Sequence, residues 1–232
     1  MPTPVILDTD IGLDVDDIWA LAYLLACKEL DIKLITSCTG DTTYRAALVA
    51  KLLEVAGRTD IPIGVGLAGE ASLKTHSRWL ADYQLSDYPG NVYVDGVNAM
   101  IETILHSEDM ITLIAIGPLS NIAAALEGNP LIVENAKFVG MHGSLRTGYL
   151  GIPKPMKEFN VLKDISACQK VFDAPWPKII TPLDTCGTTA LKGQQYQQVA
   201  GSKSAVTKAV LENHHNWFEA ALDWPAASEL VT

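Results

Sequence analysis

No stretch of this 232-residue chain concentrates lysine or arginine, and its 17 basic residues face 27 acidic ones. A formal charge of −10 without a basic run argues against a nucleic-acid groove or an anionic membrane as partner. Cysteine is scarce too. Cys27, Cys38, Cys168 and Cys186 are scattered without C-x-x-C spacing, so a thiolate zinc site is not expected, and Cys27 and Cys38 sit in apolar runs where free buried thiols are common. No apolar run reaches membrane-spanning length, and Asp8 and Asp10 interrupt the start where a signal peptide would lie. A reducing cytoplasm is therefore the expected setting. Internal repeats, linkers and low-complexity segments are also missing, so residues 1–232 read as a single domain with room for a substantial core.

What the chain does have is acid in one place. Val5-Ile6-Leu7 reads as a buried strand that ends at Asp8 and turns through Gly12. Ile18, Leu21, Ala22 and Leu25 then keep helical spacing in a helix of about Asp16 to Glu29. Asp8, Asp10, Asp14, Asp16 and Asp17 crowd the turn. Such crowding is costly through mutual repulsion and raises some pKa values. A hard divalent cation relieves it, because Ca²⁺ or Mg²⁺ takes oxygen ligands and supplies positive charge. The plainer alternative is that Asp16 or Asp17 caps the helix, with both favoured by its dipole. That leaves Asp8, Asp10 and Asp14 unexplained, and a metal or catalytic role is the stronger reading. An EF-hand is excluded, since Leu13 and Trp19 stand where glycine and an acid would be required.

Further along, Ile32–Ser37 reads as a strand ending in Cys38-Thr39-Gly40-Asp41, and Thr42 to Ala56 as a helix closed by Gly57. Ile61–Gly66 is a third strand. Gly66 to Asn91 lacks periodicity and reads as an active-site flap or a long loop, in which Trp79 and Tyr83 either cover a bound base or anchor the loop. A helix from about Gly96 to His106, a strand Ile111–Ile116, the turn Gly117–Asn121 and a helix to Leu126 follow. Ala136–Val139 and Pro177–Thr181 are further strands, Asp164–Phe172 a helix capped by Asp164, and Gln194 to Ala221 is helical. Strands alternating with helices predict an α/β fold: a three-layer, mostly parallel Rossmann-like sheet with helices on both faces. Polar clusters after each strand would then share one edge.

Asp8-Thr9-Asp10-Ile11-Gly12 with Asp16-Asp17 resembles the N-terminal signature of the inosine/uridine-preferring nucleoside hydrolases, usually Asp-x-Asp-Pro-Gly-x-Asp-Asp. Here Ile11 replaces the proline and two residues are added before the acidic pair. Cys38-Thr39-Gly40-Asp41, Ile114 to Asn121 and Lys157-Glu158-Phe159-Asn160 are similar, in collinear order, to the family's Gly-Asp turn, its apolar strand with Gly-Pro-Leu-Thr-Asn, and its Ala-Glu-Phe-Asn segment. The resemblance implies Ca²⁺-dependent hydrolysis of the N-glycosidic bond of a ribonucleoside or related N-riboside. It implies Asp10, Asp17 and the main-chain carbonyl of Ile116 as metal ligands, with Asp10 also taking a proton from the attacking water. Asp16, Asp41, Glu158 and Asn160 would hold the ribose, with Asp8, Asp14, Asn121 and His142 in support. His142 reads more simply as a packing histidine than as an acid for the leaving group, and Asn121 equally well as a pairing residue at its helix start. His214 and His215 read as a solvated face. A homodimer or homotetramer is implied as well.

The family normally continues beyond this length and brings another aspartate ligand, so the chain reads as a member lacking the C-terminal part. Asp223 is the nearest substitute. Two other readings stand beside this one: a degenerate member that binds a nucleoside or sugar without turnover, and a Mg²⁺-dependent aspartate phosphohydrolase.

Overall fold

The computed structural model describes residues 1–70 and 72–221. Asp223 lies outside them. Seven strands form one all-parallel sheet in the order β4-β3-β2-β1-β5-β6-β7. They are β1 Thr3–Thr9, β2 Leu30–Ser37, β3 Ile63–Val65, β4 Val92–Tyr93, β5 Ile111–Ala115, β6 Ala136–Gly140 and β7 Lys178–Ile180. The helices are α1 Asp16–Ala26, α2 Thr42–Val55, α3 Ser77–Leu80, α4 Gly96–Leu105, α5 Ser120–Gly128, α6 Ile132–Asn135, α7 Phe159–Lys163, α8 Ile165–Asp173, α9 Leu183–Cys186, α10 Gly193–Ala200 and α11 Ala205–Ala221.

β1 sits mid-sheet, and successive side chains alternate between faces. Val5 and Leu7 join a core with α1, α2 and α11, whereas Ile6 joins the core built by α4, α5 and α8. Burial on both faces explains why β1 reads as an unbroken apolar run. The chain goes outward from β1 through β2 and β3 to β4, then returns through α4 to β5 on β1's other side. The strand order thus reverses between β1 and β5, and a crevice opens at their carboxyl ends. The acid loop and the Gly117 turn flank it.

Several local expectations need correction. Neither Asp16 nor Asp17 caps α1: the N-cap is Val15, without a side-chain bond, and both acids lie in the first helical turn. The stretch 66–91 is not a structureless flap; it contains α3 and a 3-10 turn at Leu85–Asp87, and it leads into the edge strand β4. Trp79 is buried in the core and the Tyr83 hydroxyl donates to Glu54, so both anchor the segment. The C-terminal helical stretch breaks into α10 and α11 around Gly201. His214 is no solvated residue, since it packs edge-on to Trp19 and stacks on Trp217.

Candidate active site

β1 delivers Asp8 into the sheet interior, where it is 0% exposed. Its Oδ1 accepts from Thr36 Oγ1 at 2.5 Å and Asn121 Nδ2 at 2.8 Å, while the buried Oδ2 has no partner. Burial pushes this carboxyl up to about 6 against the pull of those two donors. Asn121 does more than pair at its helix start. Its Nδ2 also donates to Ser37 O (3.0 Å) and its Oδ1 accepts from Leu67 N (2.8 Å), so one amide ties β1 to the end of β2 and the segment after β3.

Asp10 is buried against the Gly117 turn: a Cβ on Gly117 would lie 2.9 Å from Asp10 Oδ1, which is why glycine occupies that position. Burial is the main cause lifting its carboxyl to about 7; Arg45 offsets part of this and Asp16 adds to it. Asp17 is buried, accepts from Thr9 Oγ1 at 2.5 Å, and is held well above the carboxylate range by burial and then by Asp10. Asp14 rises to about 6, again through burial first and Asp16 second. Asp16 stands at the exposed rim. Like charges therefore converge here with too little compensation.

The compensation that exists is Arg45, which the sequence reading missed. It is 2% exposed and donates from Nη1 to Ile11 O at 2.9 Å. Its signal lay in the helical stripe Arg45, Leu48, Val49 and Leu52, all buried on α2: a cation heading an apolar face requires anionic company.

The other predicted residues sit on the loops after β2, β5 and β6 and at the start of α7. Asn160 Nδ2 donates to Ile116 O (3.0 Å) and Met141 O (3.1 Å), joining two of the predicted positions directly. Glu158 is 3% exposed, and its carboxylate accepts three main-chain N–H groups, from Gly143, Asn160 and Val161. It therefore caps α7 and clasps the loop after β6. His142 donates from Nε2 to Gly117 O at 3.1 Å, packs on Phe138 and Phe172, and leaves Nδ1 buried without a partner. Burial lowers its pKa to about 4, so the ring is neutral near neutral pH. Asp41 stands apart: it caps α2 through Tyr44 N and pairs with Lys74 at 2.6 Å, which holds its carboxyl low.

The donor set suits a hard cation. It is all oxygen, several acids are raised by burial first and, at Asp10 and Asp17, by neighbouring carboxylates as well, and Asp8 Oδ2 is an unpaired buried acceptor. Asp10, Asp17 and the Ile116 carbonyl could hold one. Among the described residues, however, no three His, Cys, Asp or Glu side chains form a ligand cluster, and Ile116 O already accepts from Asn160.

The chain is 29% identical over 230 residues to the pyrimidine-specific ribonucleoside hydrolase RihA of Escherichia coli O81 (strain ED1a), covering 91% of this chain and 70% of that protein. Among solved structures it superposes on a plant nucleoside hydrolase, PpNRh1, with a TM-score of 0.81 at 21% identity, covering 100% of this chain and 78% of that one. A purine-preferring ribonucleoside hydrolase from Gardnerella vaginalis gives 0.75 at 22% identity, covering 98% and 75%. Residues 5–228 match the model of the inosine-uridine preferring nucleoside hydrolases. The chain belongs to that family, and is an N-glycosyl hydrolase of the nucleoside hydrolase type.

Proposed function

We propose that the chain hydrolyses a ribonucleoside or related N-riboside to ribose and free base with Ca²⁺ held at the acid loop. The observation that carries this is the convergence of Asp8, Asp10 and Asp17 at the β1/β5 crevice, buried with a single guanidinium for compensation among the described residues. When bound, the cation supplies the missing positive charge and makes water a better nucleophile at neutral pH.

The chain's own residues have separate roles. Asp10 and Asp17, with the Ile116 carbonyl, would hold the cation, and Asp10 takes the proton from the attacking water. The C1′–N bond breaks as water oxygen bonds to C1′, and the base leaves with the bond's electrons and takes a proton from solvent, while Asp10 returns the proton it took to solvent. Positive charge develops on the ribosyl ring, as in glycoside hydrolysis, and the surrounding carboxylates stabilise it. Asp16 at the rim and Asn160 bind ribose hydroxyls and so align C1′ with the water. Asp41 and Glu158 reach the sugar only if they share oxygens already bonded to Lys74 and to main-chain amides. His142 acts through the Gly117 carbonyl and not as an acid.

A second reading is binding without turnover. It is favoured by the Asn160 amide on Ile116 O, which competes with a cation for that oxygen. Calorimetric titration with Ca²⁺, then ribose release from a nucleoside panel, separates the two. Binding with release is expected; nucleoside binding without release would establish the second reading, and binding of neither would refute both.

A further inference from the structure

Four consecutive carbonyls of the acid loop are gripped by side chains from elsewhere in the fold. Ile11 O accepts from Arg45 Nη1 at 2.9 Å. Thr75 Oγ1 lies 3.4 Å from Gly12 O and 2.6 Å from Leu13 O. Leu13 O also accepts from Trp217 Nε1 at 3.0 Å, and Asp14 O accepts from His76 Nε2 at 2.9 Å. His76 Nδ1 in turn meets the side-chain amide of Asn213 at 2.9 Å. Arg45, Thr75, His76, Asn213 and Trp217 are all buried.

Chemistry fixes the direction of this relay. A carbonyl can only accept, so the proton sits on His76 Nε2; the buried ring stays neutral, and Nδ1 must accept from Asn213 Nδ2. Neither Asn213 nor His76 can be replaced by an apolar residue without leaving a buried polar partner unmet. Such a network fits a loop under internal stress. Asp10 and Asp14 lie in the loop, with Asp8 at the end of β1 before it and Asp16 and Asp17 in α1 after it; these acids repel one another when ionised, and the loop carbonyls would otherwise be free to turn. A helix separated from that loop by some 200 residues supplies one fastening directly, through Trp217, and supports a second through Asn213, which holds His76.

We infer that Trp217, Asn213 and His76 are positioning residues that pin the acid loop's main chain from α11, so that Asp10 and Asp17 keep one arrangement. They act through the loop carbonyls and touch neither cation nor sugar. The consequence for cation affinity rests on the function proposed above; the pinning itself does not.

Trp217→Phe keeps an aromatic ring and removes the one N–H, and Asn213→Leu keeps the branched side-chain shape and removes the donor to His76. Hydrogen–deuterium exchange in chelator reads the pinning without a cation. Each variant should speed exchange of residues 10–18 by about five- to tenfold, the loss of one net hydrogen bond, while the β5 and β6 peptides keep wild-type rates. Ca²⁺ affinity should fall by a similar factor. Thr75→Val repeats the test from the segment before α3 should Trp217→Phe fail to fold. Exchange that stays at the wild-type rate, or rises equally in every peptide, overturns the inference. Wild-type protein that binds no Ca²⁺ counts against the proposed function alone, and the exchange result still decides the pinning.

Discussion

Replacing Asp8 by asparagine should change how stability depends on pH. Folding raises the Asp8 carboxyl from 3.8 to about 6, chiefly by burial. The folded state then binds a proton more tightly than the unfolded chain, so this contribution is fully present below the unfolded pKa and is lost as pH climbs through about 6. A difference of roughly two pH units corresponds to about 3 kcal/mol, or about 6–12 °C in Tm for a chain of this size. Asparagine suits the site in shape: its Oδ1 can accept from Thr36 and Asn121, and its amide nitrogen takes the place of the unpaired Oδ2. Protonated aspartate has the same unmet donor there, so the two proteins should be about equally stable in acid. Urea unfolding in chelator, followed from about pH 4 to pH 8, measures the divergence. The wild type should lose about 3 kcal/mol more than Asp8→Asn over that range. Parallel curves would show that the buried carboxylate is compensated in the folded state, and the electrostatic reasoning for a cation would lose its footing.

Asp10→Ala should abolish ribose release and weaken Ca²⁺ binding together; retained turnover would remove Asp10 from the mechanism. Glu158→Gln should raise KM with Ca²⁺ affinity unchanged, and should also cost about 1–3 kcal/mol in urea unfolding, because the new amide would face main-chain donors. An unchanged stability would contradict the clasp. His142→Asn should leave the acid limb of the kcat/KM profile in place between about pH 5 and 8, since the His142 pKa lies near 4; a displaced limb would restore it as a proton donor.

Much of this was legible in the sequence because periodicity and strand ends carry it. The apolar run at Val5–Leu7, followed by acids, placed both the central strand and the crevice beside it. Asp164 was recognisable as a cap, and its carboxylate accepts from Ala167 N. What stayed hidden depends on contacts between distant residues. Local rules allow Asp16 or Asp17 as a cap, the plainer alternative for those acids, yet Val15 precedes the helix without a side-chain bond. β4 is two residues long and pairs only through its neighbour β3, so no local pattern announces it. His76 and Trp217 give no sign in the sequence that they meet the same loop, 204 residues apart at the longer reach. Glu158 and Asp41 look free on paper and prove to be engaged by main chain and lysine. Local rules see charge, whereas partners come from topology.

Ribose release from inosine and uridine, measured with Ca²⁺, after chelation and after Ca²⁺ is restored, tests the central claim most directly. The expected result is release that chelation stops and added Ca²⁺ restores. Release that continues undiminished in chelator would contradict it, because the acid loop would then be working without the cation its charges call for.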